Sequence, residues 1–207
     1  MTKLIIARHG NTFTAKDTPT RVGARTDLPL VQKGKDQAIA LGNHLKKSGF
    51  NPDIVYSSTL MRTKYTAQLA MSAYGQDTEI NELDIFNEID YGIDENQTEE
   101  TVIARIGQDA IDNWDNNASP PNGWNVNPEQ IIKNWHSFAE ESSLSNNKTI
   151  FIVTSNGIAR FAPYITNDFQ SFSKNHSIKL STGAFGVIEI NAGKWQVTEW
   201  NTRPVID

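Results

Sequence analysis

Apolar positions in this chain come in short blocks separated by polar loops, and their spacing changes from block to block. Residues 3–8 hold the run Leu4-Ile5-Ile6-Ala7 between two basic side chains, and Gly10 ends it. A run this short and this apolar predicts a buried strand followed by a loop. Residues 11–30 carry Pro19, Gly23, Pro29 and scattered charges, and are expected to be a long loop. Loops of that length are uncommon unless they have a function. Over residues 33–47, Ala38, Leu41 and Leu45 share one helical face, and Gly49 stands where a helix C-cap is expected.

Residues 53–56 predict a short strand, and Ser57 or Ser58 is placed to cap a helix over residues 60–74. The apolar stripe expected on that helix is Tyr65, Leu69 and Ala73. Residues 79–92 are mixed and follow no single period. Residues 99–114 predict one helix. Residues 116–128 are a Pro/Asn/Gly loop, and Pro128 is positioned to open a helix that runs to about residue 143. A buried strand is expected over 149–153, with Ser155-Asn156-Gly157 as its exit turn and a helix over 158–165 strained at Pro163. Residues 183–190 and 194–200 predict a strand pair turned by Asn191, Ala192 and Gly193. The alternation gives an α/β fold: a three-layer sandwich whose central sheet is mostly parallel, with helices on both faces and an antiparallel edge.

The 207 residues are expected to form a single domain over 1–207. At 38% hydrophobic and 21% charged, the chain reads as a globule rather than a disordered polymer. No apolar run approaches the ~20 residues of a membrane span, and the run after Met1 is too short for a signal-peptide core. A cytoplasmic location is expected. The net charge of -5 argues against a nucleic-acid partner, although a local pocket can still oppose it and hold an anionic substrate. The absence of cysteine excludes disulfides, thiolate catalysis and Cys-ligated zinc.

Ligands of such sheets bind beyond the carboxyl ends of the strands. Three of these ends carry informative residues: Arg8-His9-Gly10, Ser57-Ser58 leading to Arg62, and Ser155-Asn156-Gly157. Two arginines, a histidine and small turn residues make up a phosphate pocket, because guanidinium forks match phosphate oxygens. Helix amino ends after the strands are expected to add backbone donors. His9 is the natural nucleophile, since an imidazole titrating near ~6.5 is largely neutral at pH 7. Glu88 is the candidate acid, because a carboxyl beside a bound anion holds its proton more tightly.

The order of these segments resembles the histidine phosphatase superfamily, also called the phosphoglycerate-mutase-like family. Residues 4–12, Leu-Ile-Ile-Ala-Arg-His-Gly-Asn-Thr, look like its phosphohistidine motif. The likeness continues through Gly23-Ala24-Arg25-Thr26-Asp27-Leu28-Pro29-Leu30, Lys33-Gly34, Gln37-Ala38, Ser57-Ser58 to Arg62, Thr66-Ala67, residues 87–92, and a tail with Gly183, Trp200 and Asn201. The resemblance implies an α/β sandwich, a phosphohistidine intermediate, a small phosphorylated substrate, and no metal or other cofactor. By it, His9 is the nucleophile, Arg8 and Arg62 bind phosphoryl oxygens, and Glu88 is the acid and then the base. Ser57 and Thr12 are pocket neighbours.

Two positions depart from the family pattern. Active members carry Ser-His-Gly after the late strand, where this chain has Ser155-Asn156-Gly157. The likeness is strongest to a bacterial branch in which this asparagine is expected. An asparagine still donates a hydrogen bond to the phosphoryl group but carries no charge. An asparagine that many members place six positions after the nucleophile is Ala15 here; either Asn11 substitutes as the phosphate contact or the loop takes a different path. His44, His136 and His176 are not expected at the site. Trp124 either lines the pocket or pins its loop. A phosphomonoesterase is the expected function. The alternative is an anion-binding module that keeps the pocket without turnover, and mutase activity is not expected.

Overall fold

Six strands build the sheet: β1 (Lys3–Arg8), β2 (Ile54–Ser57), β3 (Ile80–Glu82), β4 (Thr149–Thr154), β5 (Phe185–Asn191) and β6 (Lys194–Thr202). Their order is β3-β2-β4-β1-β5-β6. The β2/β3, β2/β4 and β1/β4 pairs are parallel, and β5 and β6 add an antiparallel edge to β1. The computed structural model describes residues 1–145 and 147–206; positions 146 and 207 of the expected unit lie outside the described residues.

Alternation along β1 explains the layers. Ile5 and Ala7 face one side, where they meet Leu41 and Leu45 of α1 (Gln32–Lys47) and Ala67, Ala70 and Met71 of α2 (Met61–Tyr74). Leu4 and Ile6 face the other side. There they join the core formed by Val102 of α3 (Glu99–Ile106), Ile111 and Trp114 of α4 (Gln108–Asn117), and Trp135 and Phe138 of α5 (Pro128–Leu144). Burying each such Ile or Leu stabilises the fold by roughly 1.5–3 kcal/mol. α1 and α2 pack backbone to backbone at Gly42, where a Cβ would overlap the carbonyl oxygen of Ala70.

Several expectations change in the structure. α2 turns Arg62, Thr63, Thr66, Ala67, Ala70 and Met71 inward and leaves Tyr65 exposed, so the stripe through Tyr65, Leu69 and Ala73 is wrong. Polar side chains can face inward here because each bonds a nearby carbonyl: Thr63 that of Leu60 and Thr66 that of Arg62. Neither Ser57 nor Ser58 caps α2, whose N-cap is Leu60. The helix expected over 99–114 is two, broken at Gly107, whose φ of 84° suits glycine. Asn156 and Gly157 open a short helix, α6 (Asn156–Ala159), instead of a turn. Pro163 lies at the start of the 3₁₀ turn Ala162–Thr166 rather than breaking a helix. α7 (Phe169–Asn175) was not expected. No helix among the described residues is long and apolar enough to cross a membrane.

Candidate active site

The register Arg8↔Thr154 aligns the carboxyl ends of β1 and β4 at the centre of the sheet. The next residue on each strand is therefore His9 or Ser155, and the His9 amide donates to Thr154 O at 3.1 Å. A cleft of about 540 Å³ opens there, lined by Arg8, His9, Asn11, Thr12, Ala15, Glu88 and Asn156 among others. Glu88 arrives from the connection between β3 and α3. That connection is held to β4 by the Thr154 hydroxyl, which donates to Phe86 O at 2.7 Å.

His9 is buried, and its Nδ1 lies 2.7 Å from Gly10 O. A carbonyl only accepts, so Nδ1 carries the proton and the neutral ring keeps its lone pair on Nε2. Burial, then the charges of Arg62 and Arg8, hold the imidazole well below its ordinary value near 6.5. Glu88 is also buried; Oε1 accepts from the Ile89 amide at 2.9 Å and Oε2 from the Gly157 amide at 3.3 Å. Burial raises its pKa, against the opposing pull of Arg62, the two amides and Arg8. An imidazole with its proton on Nδ1 and a carboxyl of raised pKa, lining one cleft, can attack phosphorus at one atom and protonate a leaving oxygen at another.

The arginines supply the charge. Arg8 donates through Nη1 to Leu180 O at 2.9 Å. Arg62 is fully buried and donates to Thr26 O at 2.8 Å and Gly23 O at 3.1 Å. Among the described residues, the Nε atoms of Arg8 and Arg62 are buried with no partner. Buried guanidinium nitrogens left this way fit an anionic ligand. Arg62 does not line the cleft itself, but its charge acts on both His9 and Glu88.

Asn156 Oδ1 accepts from the Leu180 amide at 2.9 Å, which fixes the amide orientation and leaves the NH2 as its free donor. Asn11 lines the cleft, but its Oδ1 accepts from the Thr182 hydroxyl and its backbone N–H goes to Gln37. Ser57 does not line the cleft; its hydroxyl is spent on Ser58 O at 2.9 Å. Of the backbone donors expected from helix amino ends, the Gly157 N–H in α6 serves Glu88. His44 packs on Phe185, His136 lies in α5 and His176 stacks on Phe172, all away from the cleft. Trp124 pins its loop: Nε1 donates to Asp94 at 2.7 Å and the ring meets Tyr91 and Trp114 edge-on.

Sequence reasoning missed Tyr91, Trp114, Asp115, Arg160 and Lys179, which all line the same cleft. Arg160 is the informative omission. It follows Asn156 by one helical turn inside the apolar run Ile158-Ala159-Arg160-Phe161-Ala162, and a charge at such a position signals a buried role. Among the described residues, no group of three or more His, Asp and Glu side chains is arranged to hold a metal ion.

Comparison with known proteins identifies the family and the fold. The sequence model of the histidine phosphatase superfamily (branch 1) matches residues 4–203. A 2,3-bisphosphoglycerate-dependent phosphoglycerate mutase of Bartonella bacilliformis is 33% identical over 124 residues, covering 58% of this chain and 59% of the mutase. One of Borreliella burgdorferi is 30% identical over 115 residues, covering 55% of this chain and 46% of that mutase. The match thus spans about half the length of these relatives. A mycobacterial glucosyl-3-phosphoglycerate phosphatase superimposes with a TM-score of 0.81 at 17% identity, covering 97% of this chain and 99% of that one. The phosphoserine phosphatase of Entamoeba histolytica gives 0.76 at 23% identity over 98% of both chains. These solved structures share the fold. The family match spans almost the entire sequence, including the β1 end that carries His9, and the chain belongs to the histidine phosphatase superfamily (branch 1).

Proposed function

We propose that the protein is a phosphomonoesterase that works through a phosphate carried on His9. The observation that carries the reading is that His9, with its proton on Nδ1, and Glu88, whose pKa burial raises, are both buried and line one cleft. His9 Nε2 attacks phosphorus, the bond from phosphorus to the ester oxygen breaks, and Glu88 donates its proton to that oxygen. Glu88, now a carboxylate, takes a proton from water as the water oxygen attacks phosphorus and the N–P bond breaks. Inorganic phosphate leaves with His9 and Glu88 restored. Arg8, Arg62 and the Asn156 NH2 stabilise the charge on the equatorial oxygens. Membership of the family supports phosphoryl transfer in general.

The test is phosphate release from a panel of phosphomonoesters between pH 5 and 8, run beside His9→Ala. Acid quench of the wild type should trap an acid-labile phosphoenzyme that the variant lacks. Wild-type turnover by the variant would refute the assignment. Asn156 favours a second reading, an anion-binding module without turnover, because it removes a positive charge from the phosphoryl site. Phosphate affinity without release would select that module. Transfer to an added alcohol acceptor would instead indicate a mutase or phosphotransferase.

A further inference from the structure

One wall of the cleft, away from His9, holds a group of charges that the phosphoryl chemistry leaves unused. Arg160 is buried and lies over the Trp114 ring, its guanidinium carbon 3.9 Å from the centroid. Its Nη1 donates to Trp114 O and its Nε to Asn156 O at 3.3 Å. Nη2 meets Asp115 only at 3.9 Å, beyond hydrogen-bond reach. Lys179 approaches the same carboxylate from the other side, with Nζ 2.6 Å from Asp115 Oδ2. All three side chains line the cleft. Two cations therefore share one carboxylate, and one positive charge at this wall is uncompensated. Burial pulls the Arg160 pKa down to about 10, and Tyr91, Asp115 and Glu88 oppose it only in part. These contacts tie the guanidinium to the end of α4.

We propose that Arg160 and Lys179 form a second anion subsite, which takes a carboxylate on the leaving group, and that Asp115 is its internal counter-ion. A monoanion matches the single surplus charge, whereas a phosphate dianion would leave a negative charge against Asp115. A planar carboxylate also suits the guanidinium fork. The proposal rests on the phosphomonoesterase reading of the same cleft.

The probes are 3-phosphoglycerate and glycerol 3-phosphate, which differ only in carboxylate against hydroxymethyl. Two readouts are taken: the ratio of kcat/KM in the wild type, and the ratio of Kd in His9→Ala by calorimetry. The expected preference for the carboxylate is about tenfold or more, the scale of a charge-assisted hydrogen bond. Arg160→Gln should bring the ratio close to one, with the change in KM rather than kcat. Lys179→Gln, at a half-exposed residue, should lower the ratio without threatening the fold. Asp115→Asn should raise it by freeing both cations. Equal affinity for the two esters, or equal loss of both in Arg160→Gln, would overturn the subsite. Absence of hydrolysis with a retained Kd ratio would sink the phosphomonoesterase reading and keep the subsite.

Discussion

Gly157→Ala tests the acid assignment without touching the acid. A Cβ at Gly157 would overlap Glu88 Oε1, stand 2.9 Å from Ile89 Cγ1 and 3.1 Å from Glu88 Cδ, where ordinary contact begins near 3.4 Å. Relieving the overlap moves the carboxyl by more than about 1 Å, and a displacement of that size in a catalytic group costs on the order of 100-fold. The move also breaks the 3.3 Å bond from the Gly157 amide. The cost should fall on alkyl phosphates, whose leaving oxygen needs a proton, and spare p-nitrophenyl phosphate, whose leaving group does not. Stability should change little: Gly157 lies in a helix, where Ala is better than Gly by about 1 kcal/mol, and Glu88 has the cleft to move into. The assay is kcat for both substrates with a thermal melt as control. Combined with Glu88→Gln, the two losses should not add, because both remove one group. Equal losses on both leaving groups, or additive ones, would refute the geometry.

The active form needs His9 neutral and Glu88 protonated, and burial favours both by lowering the first and raising the second. The kcat/KM profile should therefore be bell-shaped, with His9 on its acid limb and Glu88 on its alkaline limb, and Glu88→Gln should remove the alkaline limb; an unchanged limb would exclude Glu88. For stability, the raised Glu88 binds more protons folded than unfolded, so it subtracts stability above its raised pKa and none below the ordinary 4.5. Glu88→Gln should raise Tm at pH 8 and leave it unchanged at pH 4, read by calorimetry; a rise at both would mean a different cause. Asn156→Ala removes a fixed donor and should cost about 100- to 1,000-fold in kcat, whereas Asn156→His should preserve or raise activity; a large drop in the latter would give the asparagine a role of its own. Trp124→Ala should cost about 3–5 kcal/mol of stability by emptying its aromatic contacts, and a KM effect with no loss of Tm would restore it to the pocket.

Legibility in the sequence followed the kind of force involved. β1, α1 and the β5/β6 hairpin were readable because apolar spacing alone determines them, and Ala192 and Gly193 take the positive φ that their turn requires. Arg8, His9, Glu88 and Asn156 were readable as a set because they lie at two strand ends, those of β1 and β4, and in one connection. α2 was misread for a reason connected to function. The inward face expected of Tyr65 and Leu69 belongs to Arg62 and Thr66, which fasten the loops around the cleft: Thr66 accepts from the Gly10 amide at 3.1 Å. Hydrophobic spacing cannot show a face whose burial depends on distant carbonyls such as Gly23 O. The Arg160 wall went unread because its partners, Asp115 and Lys179, meet it only in three dimensions.

The backbone of Leu180 is held from both sides of the cleft: its carbonyl by Arg8 and its amide by Asn156. Gly183 N, close by, bonds the carbonyls of Arg8 and His9. β1 takes its place between β4 and β5, both of which lie far from it along the sequence. Such pairings join ends separated by most of the chain, a topology that folds slowly because the loop must close before any contact rewards it. His9, at the end of β1, has no sheet neighbour until β4 has been made. A chain cut short before Leu180 would lack the backbone groups that hold Arg8 and Asn156, although both of those side chains would be present.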